Sequence, residues 1–318
     1  MPRSYFAAAA LAIAGGVLTP SVRMNAQTFL RPADINALPS KPANARIAYG
    51  TDSLQFADLR LPNGKGPFPV AIVIHGGCWV HAYADVKNSA ALSDALRDAG
   101  VATWNVEYRR LDDPGGGWPG TLLDVGAGAD ALRAAAKNYP LDLKRVVAVG
   151  HSAGGQLALW LAARHKLPKT SELHVDKPLR LSAAIALGGP GDLYDFASYP
   201  GPCGEGTETV EKYLGGSAEA YPNRWRDASP SSFLPLGVPQ VMLAGEFDKV
   251  MPREHLDAYA AKARVAGDSV EVFVVPGAAH HEVMSPHELA WSVVRDAVLR
   301  ALHVTVRQLY NVDGIKKE

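Results

Sequence analysis

Only two cysteines, Cys78 and Cys203, occur in 318 residues, too few for a disulfide-dense scaffold or a multi-cysteine zinc module. An excess of either charge is missing too. The 32 basic side chains are balanced by 32 acidic ones, so the chain lacks the basic footprint of a nucleic-acid binder. The apolar run at residues 6–18 is 13 residues long, short of the roughly 20 that a membrane-spanning helix needs. Internal repeats and low-complexity tracts are absent, which argues against a solenoid or a linker-rich chain. Apolar material is not scarce: 47 % of the residues are hydrophobic, which excludes a disordered or collagenous chain. One α/β domain routinely exceeds about 250 residues, so this length does not demand two.

Arg3 and the apolar run at 6–18, closed by Thr19, Pro20 and a polar stretch, have the proportions of a secretory signal peptide. Cleavage is expected after Ala26, giving a signal segment 1–26; the alternative is an uncleaved N-terminal anchor. Either one puts the body of the protein outside the cytoplasm, in the periplasm or secreted. Residues 27–45, with Pro32, Pro39 and Pro42, read as an extended lead-in, and 46–318 as the catalytic domain. From there strands alternate with helices. Strands are expected at 55–61, 70–74, 101–108, 145–149, 181–187, 240–244 and 270–275, and helices at 86–100, 119–138, 154–165 and 253–266. Continuously apolar strands such as Val70-Ala71-Ile72-Val73-Ile74 are those of a mostly parallel sheet covered by helices on both faces.

Two motifs carry chemistry. Gly150-His151-Ser152-Ala153-Gly154 lies between a buried strand and a helix, the setting of a nucleophile elbow. There the turn holds the serine in a strained backbone conformation, and the flanking glycines let strand and helix approach. His75-Gly76-Gly77-Cys78-Trp79 follows the strand at 70–74. Glycines there allow backbone N–H groups to approach a developing oxyanion, so Gly76 and Gly77 are expected as donors together with Ala153 behind the serine. His75 is expected to brace this loop, and Trp79 and Tyr83 to line the substrate pocket.

With these motifs the sequence resembles the α/β-hydrolase superfamily, most closely bacterial carboxylesterases related to hormone-sensitive lipase and arylformamidases with His-Gly-Gly-x-Trp. The resemblance spans residues 49–303 and includes Gly150-His151-Ser152-Ala153-Gly154-Gly155 and Ala228-Ser229-Pro230. Cys78 stands where the lipase-like branch has a third glycine and fits the arylformamidase form, which leaves ester and amide substrates both open. The family order of nucleophile, acid and histidine points to Asp248 in Gly245-Glu246-Phe247-Asp248, with Glu246 as competitor. It points to His280 in Pro276-Gly277-Ala278-Ala279-His280-His281, with His281 then directed to the cleft rim or solvent. The other histidines, His151 among them, read as surface or packing residues.

The implied chemistry is hydrolysis of a small-molecule carboxylic ester through an acyl-enzyme on Ser152, with no metal and no organic cofactor. Arylformamidase, amidase and exopeptidase activities use the same triad and are the alternatives. A non-catalytic binding protein of this fold would be expected to have lost a triad member, and all three are present. The segment 188–236, rich in glycine and proline with Tyr194, Phe196, Tyr199, Tyr213 and Trp225, is expected to cap the site, although each aromatic could equally be local core. Both cysteines fall at the carboxyl edge of the expected sheet. Outside the cytoplasm a Cys78–Cys203 bond would tether the cap to the oxyanion loop; otherwise Cys78 is a small apolar filler and Cys203 an unrelated cap residue.

Overall fold

The computed structural model describes residues 28–199, 201, 203 and 207–304; the expected signal segment lies outside them. Eight strands run β1 (Ala45–Ala48), β2 (Phe56–Arg60), β3 (Phe68–Ile74), β4 (Ala102–Val106), β5 (Leu141–His151), β6 (Ala183–Leu187), β7 (Gln240–Gly245) and β8 (Val270–Val275). They form one sheet in the order β1-β2-β4-β3-β5-β6-β7-β8. β2 is antiparallel to β1 and β4, and every pairing from β4 to β8 is parallel. This is the α/β-hydrolase fold, as the sequence led one to expect.

Period-two alternation sorts the strand residues onto two cores. Val70, Ile72 and Ile74 join Trp104, Val106 and Ala148 on one face, under the helices Gly120–Asp130 and Ala153–Ala163. Ala71 and Val73 join Val147, Val149, Ile185 and Leu187 on the other, under Ala90–Asp98 and Ala290–Ala301. Each fully buried Val, Leu or Ile contributes about 1.5–3 kcal/mol relative to exposure, so strands apolar on both faces are stable only with both helical layers in place.

Several boundaries differ from the sequence reading. The stretch 86–100 opens as a tight turn, Val86–Ser89, capped by the Asp85 carboxylate on the Lys87 N–H, before the helix Ala90–Asp98. The stretch 119–138 breaks into Gly120–Asp130 and Leu132–Ala135, and the last helix, Ala290–Ala301, went unforeseen. The lead-in is not simply extended: it holds a helical turn, Pro32–Asn36, and ends on the first residue of β1. Pro32 stands at its first position, where the missing N–H costs nothing, and Asp34 accepts from the Arg31 N–H. In the expected cap, the short helices Leu193–Ala197, Thr207–Leu214 and Pro222–Ala228 bury Phe196, Tyr213 and Trp225 in the first core, while Tyr194 stays exposed. No helix among the described residues is long and apolar enough to cross a membrane.

Candidate active site

Ser152 sits between the end of β5 and the helix Ala153–Ala163, at φ 53° and ψ −123°. A non-glycine residue in this left-handed region is strained and is held there only by its surroundings. The Ser152 N–H donates to the Leu187 carbonyl of β6, and its own carbonyl accepts from Gly155. Glycine is obligatory on both sides: a Cβ on Gly150 would lie 1.8 Å from the Gly154 oxygen, and one on Gly154 would lie 2.2 Å from the Ile74 oxygen. The serine is left 6 % exposed at the floor of a pocket of 310 Å³.

The loops after β7 and β8 bring Asp248 and His280 to the same pocket edge. Asp248 Oδ2 accepts from His280 Nδ1 at 2.8 Å, and its other oxygen is fixed by the N–H groups of Val250 and Met251. With Nδ1 carrying the hydrogen, His280 Nε2 is left as the basic lone pair. Gly188, after β6, backs this pair: it has φ 58°, and a Cβ there would lie 2.9 Å from Asp248 Oδ2. Glu246, the competing carboxylate, is exposed and accepts from the Gly277 N–H instead.

Of the two expected positions, His281 takes the cleft and is half-buried there. It lines the pocket with its ring 5.1 Å from that of His280, and its buried Nδ1 has no hydrogen-bond partner among the described residues. Burial, then the neighbouring His280, pull its pKa down to about 4. His151 is buried, and its Nε2–H donates to the His280 carbonyl at 2.8 Å, so the residue before Ser152 fixes the backbone of the histidine loop. Burial, reinforced by His280 and His281, holds His151 well below the ordinary histidine range.

The oxyanion loop is braced from beneath. His75 Nε2 faces Glu107 Oε1 at 3.0 Å, and the His75 ring stacks on Tyr108 with centroids 4.3 Å apart. Glu107 also accepts from Arg110 and from the N–H groups of Val86 and Tyr108. Burial alone would raise this carboxyl, but His75, Arg110 and the Val86 N–H outweigh it and hold the pKa down to about 2. Gly76 packs against the nucleophile turn, where a Cβ would lie 3.0 Å from Ser152 Cβ. Gly77 lines the pocket at φ 99°. Among the described residues, neither the Gly77 N–H nor the Ala153 N–H has a hydrogen-bond partner, which leaves both free for an oxyanion.

Of the two expected pocket residues, Tyr83 lines the pocket and is 52 % exposed. Trp79 does not, and that expectation is corrected. Trp79 is 1 % exposed, stacks on Tyr213 with centroids 4.7 Å apart, and donates through Nε1 to Gln156. Positive φ at Cys78 and Trp79 turns the indole down into the first core. Cys78 is bonded to Cys203, with Cα atoms 5.5 Å apart across 125 residues, and both line the pocket. Pro32, Asn88 and Val250 line it too; Pro32 and Asn88, as single residues in turns, carry no motif by which the sequence could have marked them. Among the described residues, no group of three or more His, Cys, Asp and Glu side chains is placed to hold a metal ion.

A strained serine at a strand–helix turn and an Asp-supported histidine on the edge of one eight-stranded sheet define the class as α/β-hydrolase. Residues 57–262, more than half of the chain, match the BD-FAE family, and the chain belongs to that family. The esterase LipC of Mycobacterium tuberculosis is 28 % identical over 242 residues, which are 74 % of this chain and 59 % of that protein. The isoprenylcysteine alpha-carbonyl methylesterase ICME of Arabidopsis thaliana is 23 % identical over 256 residues, 77 % of this chain and 58 % of that protein. The chain thus spans less than two thirds of the length of these curated relatives. An inhibited esterase B from Lactobacillus rhamnosis shares the fold, with TM-score 0.71 and 18 % identity over 87 % of this chain and 92 % of that one.

Proposed function

We propose that the protein is a serine hydrolase that cleaves carboxylic esters of small molecules. The observation that carries the reading is Ser152 at φ 53°, facing one pocket with a histidine whose Nδ1 is held 2.8 Å from Asp248. His280 Nε2 takes the Ser152 proton as the hydroxyl oxygen attacks the carbonyl carbon. The tetrahedral oxyanion is stabilised by the N–H groups of Gly76, Gly77 and Ala153. Collapse expels the alcohol, protonated by His280, and leaves an acyl-enzyme. Water, deprotonated by His280, then attacks the acyl carbon and releases the acid. The pocket of 310 Å³ is at the lower end of the range of about 300–1,000 Å³ for ligand sites, which favours small substrates. The names of LipC and ICME, both esterases, support the same class.

The test is turnover of p-nitrophenyl esters from acetate to octanoate beside aryl formamides and amides. Esters are expected to be the better substrates. Ser152→Ala should lose on the order of 10⁴-fold or more in kcat with the fold retained. Near-normal turnover by that variant would refute the mechanism. We further infer that the protein works in the periplasm or is secreted, after removal of residues 1–26. The Cys78–Cys203 bond supports that compartment, since disulfides persist where conditions oxidise.

A further inference from the structure

Residues 29–36 lie outside the stretch that matches the family, yet Pro32 lines the same pocket as Ser152 and His280. The segment is fastened at three places, each on an element that serves the site. The Phe29 ring lies 5.5 Å from that of Phe247, the residue before Asp248. The Leu30 N–H donates to Glu282 Oε1 at 2.5 Å, and Glu282 Oε2 accepts from the Ala279 N–H at 2.9 Å, next to His280. Asn36 Oδ1 accepts from Asn88 Nδ2 at 2.9 Å, and Asn88 is itself buried and lines the pocket. Between these ties Ile35 is anchored in the second core at 1 % exposure. Pro32 is therefore held on a short helical turn gripped by the acid loop, the histidine loop and the turn Val86–Ser89.

We infer that this segment, through Pro32, is the wall that limits the length of the substrate's apolar arm. The inference rests on the ester reading of the site and deepens it. The Cys78–Cys203 bridge, Ala84 and Val250 supply apolar walls to the same pocket, which Tyr83, Asn88, His151 and His281 also line. An aliphatic arm of a few carbons is the chemistry that such walls recognise. Pro32→Ala removes two ring methylenes from the wall and keeps a residue compatible with the first helical turn.

The experiment compares kcat/KM on two series: p-nitrophenyl acetate, butyrate, hexanoate and octanoate, and the acetates of methanol, butanol and hexanol. Each methylene newly accommodated is worth a factor of about four, so Pro32→Ala should raise the long-to-short ratio in one series by about fifteenfold. Pro32→Trp should lower that ratio in the same series. A shift in the first series places the acyl group against Pro32, and a shift in the second places the alcohol there. Unchanged ratios in both series for both variants would overturn the wall, provided Ser152 still reacts with a fluorophosphonate by intact mass. Wild-type protein that neither takes this label nor turns over any of the esters would overturn the ester reading, and this inference with it.

Discussion

Three histidine rings share the pocket of Ser152, and their surroundings give each a different task. His280 has the carboxylate, His151 holds a carbonyl, and the buried His281 Nδ1 has no partner among the described residues. His280→Ala should therefore cost far more turnover than His281→Ala; equal losses would mean that the base has been misassigned. The depressed His281 pKa also makes a stability prediction. Unfolded, this histidine binds a proton near pH 6.5, whereas folded it stays neutral down to about 4. The unfolded state thus gains protons first, and stability present above pH 6.5 drains away as the pH falls toward 4, by on the order of 3 kcal/mol at the limit. His151 acts with the same sign. Urea unfolding of His281→Asn at pH 7.5, 5.5 and 4.5 should show a shallower decline than the wild type, and parallel declines would refute this account. Glu107 adds its loss lower, as the pH falls from about 4.5 toward 2.

At the scale of elements, the site is made by four loops at the carboxyl ends of β3, β5, β7 and β8, and the disulfide ties the first of them to the segment after β6. Closing a loop across 125 residues removes chain entropy from the unfolded state, about 4–5 kcal/mol in the loop-closure estimate. The double variant Cys78→Ser, Cys203→Ser should lose up to that amount in reversible urea unfolding. It should also raise KM, because both cysteines line the pocket. Unchanged stability together with unchanged KM would show that the bridge constrains neither. The segment 188–236 belongs here too: its aromatic residues Phe196, Tyr213 and Trp225 serve as packing beneath Trp79 and its neighbours. Of the residues described in that segment, Cys203 is the one lining the pocket.

For the molecule as a whole, two cores share one sheet, and the proposed route of export is open to a direct test. Denatured, unreduced protein recovered from the periplasm or medium should titrate no free thiols, and two would count against both the bond in the native protein and the compartment. Much of the fold was legible in the residues because its signals are local. Val70-Ala71-Ile72-Val73-Ile74 can only be a strand covered on both faces, and Gly150-His151-Ser152-Ala153-Gly154 demands a turn where two backbones nearly touch. The resemblance to the α/β-hydrolase order of nucleophile, acid and histidine was what nominated Asp248 and His280. Tertiary structure alone decided what depends on residues distant in sequence meeting in space. Trp79 follows the oxyanion glycines, yet positive φ at two successive residues sends it to Tyr213 and away from the pocket. Pro32 reads as a lead-in proline, yet a helical turn and ties to Glu282 and Asn88 carry it to the active site. The pairing of Cys78 with Cys203 was one possibility from sequence and became a fact only when the Cα atoms stood 5.5 Å apart, since periodicity fixes which face a residue occupies and not which distant residue lies opposite.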